Sequence, residues 1–93
     1  MKDGGGIVGI IGEVDADNCD SMAEQVLAAD RDTPNLVLDL TELTFLDSSG
    51  ISAFLGLKST LEEQDRSLQL QGPTDSVRRV LEITGLTQIF GLD

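Results

Sequence analysis

Residues 35–40 read NLVLDL, a nearly continuous apolar run with Asp39 set inside it. Runs of this kind fit a central β-strand covered on both faces. That one strand constrains the rest of the chain, because both of its faces need partners. The surrounding sequence offers them in alternation. Residues 7–11, IVGII, are β-branched apolar positions broken by one glycine and predict a strand. Cys19, Met22, Ala23, Val26 and Leu27 fall at helical spacing and predict an amphipathic helix facing a core. Asp15, Asp17 or Asn18 in the preceding polar turn is its candidate cap, and DRDTP at 30–34 ends it.

From Ile51, apolar positions at 51, 54, 55, 57 and 61 give a broad helical face. SLQLQ at 67–71 alternates as a strand with one wet face should. Thr74 is a cap candidate for a third helix carrying Val77, Val80, Leu81 and Ile83, stopped by Gly85. LTQIFGLD has room for one short terminal strand or turn. Strand–helix alternation of this order predicts an α/β layer structure with a mainly parallel or mixed sheet of about four strands and three or so helices. At 93 residues the chain reads as a single domain, 1–93, with 1–6 a flexible N-terminal segment.

Charge closes off several functions. The formal net charge is −11, from 17 acidic and 6 basic residues. Nucleic acid and anionic membrane require Lys and Arg to meet phosphate, so neither is an expected partner. Phenylalanine is the only aromatic type, at 3% of the chain, so stacking platforms are missing too. With no histidine, neither a Ser-His-Asp triad nor the usual histidine-containing metal site can form. A single cysteine, Cys19, excludes an internal disulfide and fits a reducing, cytoplasmic compartment. No apolar run reaches the ~18 residues of a membrane span. No enzyme, no cofactor and no metal are therefore expected. The acidic surface suits a partner with a basic face, or plain solubility.

The segment TFLDSSGISAFLGLK, 44–58, sets an acid, two hydroxyls and a glycine where a buried run turns into a helix. If the helix begins at Ser49, Ser48 is the N-cap, accepting a bond from Gly50 or Ile51, and a cap is the plain structural role for it. Two serines with Gly50 suggest more, since Gly50 costs up to ~1 kcal/mol of helix propensity. One reason to accept that cost is to let a second surface approach the hydroxyl. Helix N-termini tolerate phosphate, while Asp47, and Asp15 and Asp39 at strand ends, would make added charge oppose a docked partner. A hydrolase using Ser48 lacks a base: Lys58 lies about three turns away. Cys19 and Met22 read as core, and Arg78 and Arg79 as solvated.

LVLDLTELTFLDSSGISAFLGL resembles the signature of STAS domains, specifically the bacterial anti-sigma factor antagonists. GEVDADN is similar to that family's Gly-Glu-Leu-Asp turn, and VRRVLEITGLTQIF to its third-helix segment, so the resemblance spans residues 7–91. It implies a STAS-like α/β domain in which the family's N-terminal strand and C-terminal helix are shortened. It implies a phosphoprotein that binds an anti-sigma factor, itself a serine kinase, and thereby frees a sigma factor for transcription. Phosphorylation of the acceptor, Ser48 here, ends the interaction and a phosphatase restores it. Asp15, Asp47, Ser48, Ser49 and Gly50 are the implied partner-binding positions, and ATP and magnesium belong to the kinase. The alternative is a STAS interaction module of a transporter-associated or stressosome-type complex. A shortened sheet edge makes a homo-oligomer an expectation as well.

Overall fold

A computed structural model describes residues 5–92 of the chain. Among the described residues five strands and four helices are formed: β1 (Gly5–Gly9), β2 (Gly12–Val14), α1 (Cys19–Ala29), β3 (Asn35–Asp39), β4 (Leu43–Leu46), α2 (Ser48–Glu63), β5 (Ser67–Gln71), α3 (Asp75–Ile83) and α4 (Leu86–Ile89). The α/β alternation read from the sequence is present, and every strand pair is parallel. The strands divide into a three-stranded sheet, β1-β3-β5, and a two-stranded sheet, β2-β4, rather than one sheet of about four.

The division has a local cause. The apolar run at 7–11 is interrupted at Gly12, whose φ of +90° turns the chain before it re-enters pairing. The Gly12 amide still donates to the Glu42 carbonyl at 2.9 Å, so β2 and β4 continue in the direction of β1 and β3 after the break. Of the expected flexible segment 1–6, residues 1–4 lie outside the described residues, while Gly5 and Gly6 pair with Asn35 and Leu36 inside β1.

β3 is the central strand, but only one of its faces is fully covered. Leu36 and Leu38 are completely buried, whereas Val37 and Asp39 are half-buried. On β1, Ile7 is 63% exposed, and on β5 Gln69 is exposed while Leu68 and Leu70 are buried. The inner face packs into one cluster with Val26 of α1, Phe54, Leu57 and Leu61 of α2, and Val77 and Leu81 of α3. The outer face of the three-stranded sheet is wet, as the alternation in β5 predicts.

Both ends of α3 follow elementary capping rules. The Thr74 hydroxyl accepts from the Val77 amide and starts α3. Gly85, at φ +78°, stops it. The following segment is the short helix α4 instead of a strand or turn. Arg78 is not simply solvated: its guanidinium donates to the Leu92 carbonyl at 3.4 Å and pairs with Glu82 at 3.4 Å.

Candidate functional site

Parallel pairing sets Val14 beside Leu46, so β2 and β4 end together. The next residues, Asp15 and Asp47, therefore emerge side by side in register, and the Asp47 amide donates to the Val14 carbonyl at 3.4 Å. Each then opens a turn into a helix. Asp15 Oδ1 accepts from the Asp17 amide at 2.9 Å, and its carbonyl accepts from the Cys19 amide at 2.9 Å. Asn18 precedes α1 but does not cap it with its side chain. It reaches back instead, accepting from the Asp15 amide and donating to the Glu13 carbonyl, each at 2.9 Å. The first turn is thereby pinned against β2.

At α2 the cap is Asp47, not Ser48. Asp47 Oδ1 accepts from the Ser49 amide at 2.9 Å and the Gly50 amide at 3.1 Å, and the helix begins at Ser48. The physical reason is reach: Asp47 is still extended, with φ −110° and ψ −174°, which is the geometry that lets a capping oxygen meet those amides. Ser48 is thus not needed as the cap. It is exposed, and its hydroxyl has no hydrogen-bond partner among the described residues.

Gly50 does something other than open the hydroxyl to a partner. It is buried, and a Cβ there would lie 2.4 Å from Leu46 Cδ1 and 2.9 Å from Val14 Cγ1. The missing side chain lets α2 settle onto the ends of β2 and β4, which fixes the height at which Ser48 protrudes. Sequence reasoning passes over Val14 and Leu46 in this role; the buried ends of GEV and LTFL were the available signal.

Ser49 is half-buried and begins a groove of about 510 Å³ between α1 and α2, which also takes in Cys19, Ala23, Ser52, Ala53 and Gly56. Asp39 does not join this edge. It closes β3 at the opposite end of β4, where its side chain accepts from the Thr41 amide at 3.0 Å. That amide, helped by the Thr41 hydroxyl, holds the Asp39 carboxyl below the usual range. The arrangement at α2 presents one free alcohol on a helix N-terminus beside a carboxylate, with a concave surface next to it.

Residues 1–92 match the family described as Mlab, STAS domain. The chain belongs to the STAS domain family. Over 82 residues this STAS domain is 33% identical to the anti-sigma-B factor antagonist of Listeria monocytogenes serovar 1/2a, covering 87% of this chain and 72% of that protein. It is 29% identical over 80 residues to the protein of the same name from Staphylococcus aureus strain NCTC 8325 / PS 47, covering 85% of this chain and 74% of that one. The solved structure of the anti-sigma factor antagonist SpoIIAA in its unphosphorylated form matches with a TM-score of 0.73 at 26% identity, over 86% of this chain and 71% of that one. A sulfate transporter family protein from Wolinella succinogenes matches with a TM-score of 0.78 over 94% of this chain and 71% of that one; at 18% identity this is a likeness of fold alone. No helix among the described residues of the STAS domain is long and apolar enough to cross a membrane.

Proposed function

We propose that this STAS domain is an anti-sigma factor antagonist whose unmodified form binds an anti-sigma factor with serine-kinase activity, and that phosphorylation of Ser48 ends the interaction. The supporting observation is the division of labour at α2: Asp47 does the capping, which leaves the Ser48 hydroxyl exposed and unbonded. In the reaction the Ser48 oxygen forms a bond to the γ-phosphorus of ATP, ADP leaves, and the hydroxyl proton passes to a base on the kinase. A phosphatase returns the free hydroxyl, so the cycle is a partner switch in the cytoplasm.

Charge explains why the modified form lets go. The Ser49 and Gly50 amides are already occupied by Asp47, so a phosphate on Ser48 projects outward and adds roughly −1.5 to −2 charge to an acidic edge. The groove starting at Ser49 gives the partner its concave footing. Asp15, beside Asp47 in register, lies on the same contact surface. Incubation with the cognate kinase, ATP and magnesium is expected to raise the protein's mass by one phosphoryl group, and Ser48→Ala to abolish the shift. Phosphate taken up elsewhere, with Ser48 untouched, contradicts the reading. Ser48→Asp is expected to weaken the partner in calorimetry.

The match to the family described as Mlab, STAS domain, leaves one second reading: a STAS module docked on a transporter-associated or stressosome-type assembly. Pull-downs separate the two. Recovery of a transporter subunit, indifferent to Ser48→Asp, supports the second; recovery of an anti-sigma kinase, lost on Ser48→Asp, supports the first.

A further inference from the structure

β1 has a neighbour on one side only among the described residues, because the sheet order is β1-β3-β5. The direction of its free groups follows from the hydrogen bonds it makes. The Ile10 amide donates to the Asp39 carbonyl at 3.0 Å and the Gly12 amide to the Glu42 carbonyl at 2.9 Å, so these even-numbered residues face inward. Backbone groups alternate along a strand, which turns the N–H and C=O of Ile7, Gly9 and Ile11 outward. Soluble proteins blunt such edges with charges, prolines or bulges. Here residues 4–12, GGGIVGIIG, hold no charge at all in a chain of net charge −11. Ile7 and Ile11 are 63% and 72% exposed.

We propose that β1 pairs antiparallel with β1 of a second copy of this chain, about a two-fold axis at Gly9. This register sets Ile7 opposite the partner's Ile11, Gly9 opposite the partner's Gly9, and Ile11 opposite the partner's Ile7. All three pairs are outward-facing residues, so every free backbone group of that stretch finds a partner. The sequence I-V-G-I-I reads nearly the same in both directions, as a self-complementary interface requires. A second copy is the fitting occupant because two strongly acidic molecules can meet at this neutral strip without opposing like charges. At Gly9 a Cβ would touch nothing within 4 Å, and the groove of about 340 Å³ between this edge and α1, bounded by Met22 and Gln25, lies where the incoming strand's inner side chains arrive. The result is a six-stranded sheet, and it forms whether or not Ser48 is modified.

Analytical ultracentrifugation tests this on the whole chain. The wild type is expected to sediment at twice the chain mass of 9.9 kDa. Ile7→Lys with Ile11→Lys places ammonium against ammonium across the axis and is expected to return the mass to 9.9 kDa with an unchanged circular dichroism spectrum, since both side chains are exposed. Ile7→Lys with Ile11→Glu places each new ammonium against a new carboxylate of the partner and is expected to restore the doubled mass. A monomeric wild type, or a double-lysine variant that remains dimeric, overturns the interface. Failure of the lysine–glutamate variant to dimerise overturns the antiparallel register.

Discussion

At the level of single residues, Asp47, Ser48 and Gly50 differ in what each does at the start of α2. Asp47 holds two amides, so Asp47→Ala is expected to cost about 1 kcal/mol in urea unfolding, with Asp47→Asn recovering much of it. Gly50 lies against Leu46 and Val14, so Gly50→Ala overpacks the junction and is expected to cost about 1–3 kcal/mol in the same measurement. Ser48→Ala, which removes an exposed and unbonded hydroxyl, is expected to stay within about 0.5 kcal/mol of wild type. A large loss on Ser48→Ala would assign the hydroxyl a structural duty and weaken the proposed switch. These contrasts were only partly legible beforehand. The motif marked Asp47 to Gly50 as the candidate, but whether Asp47 or Ser48 caps α2 depends on where the helix starts, and that is set by how β4 ends against β2.

Among elements, the tie between the end of α1 and the start of β5 stands out, and no local pattern in the chain announces it. Arg66 donates from Nε to the Thr33 carbonyl at 2.7 Å and from Nη2 to the Asp30 carbonyl at 3.1 Å and Asp30 Oδ1 at 3.2 Å. Both side chains are largely buried, so Arg66→Met strands an acid and is expected to cost about 3 kcal/mol. The Asp30 carboxyl is held below its ordinary 3.8, first by the Thr33 hydroxyl, then by the Thr33 and Asp32 amides and the Arg66 charge, against some desolvation. A lowered carboxyl contributes stability that is complete above the ordinary value and is lost as pH falls through the folded-state value. Urea midpoints compared at neutral pH and below about pH 3 should therefore fall less for Asp30→Asn than for wild type. An equal fall in both proteins would remove Asp30 from the acid response.

Across the whole molecule, net charge and shape act together. A charge of −11 steers a basic partner toward the surface at long range, so the association rate with a basic partner should drop as salt rises through the physiological range, where the Debye length is about 8 Å. Stopped-flow mixing at several ionic strengths reads this directly, and a salt-independent rate would contradict it. The wet outer face of the three-stranded sheet, the acidic edge at α2 and the neutral edge of β1 are three chemically different surfaces on one small domain. Each suits a different neighbour.

Local patterns in the chain were enough for the strands β1, β3 and β5 alternating with the helices α1, α2 and α3, the mainly parallel α/β class, the alternating faces of β5, the Thr74 cap and the Gly85 stop. All of these rest on spacing or on conformational preference within a few residues, which a sequence displays directly. The split into two sheets, the register that brings Asp15 beside Asp47, the exclusion of Asp39 from that edge, and the packing duty of Gly50 were decided only in three dimensions. Those features depend on which distant strand lies alongside, and on how little room remains between Val14, Leu46 and the first turn of α2 once it does.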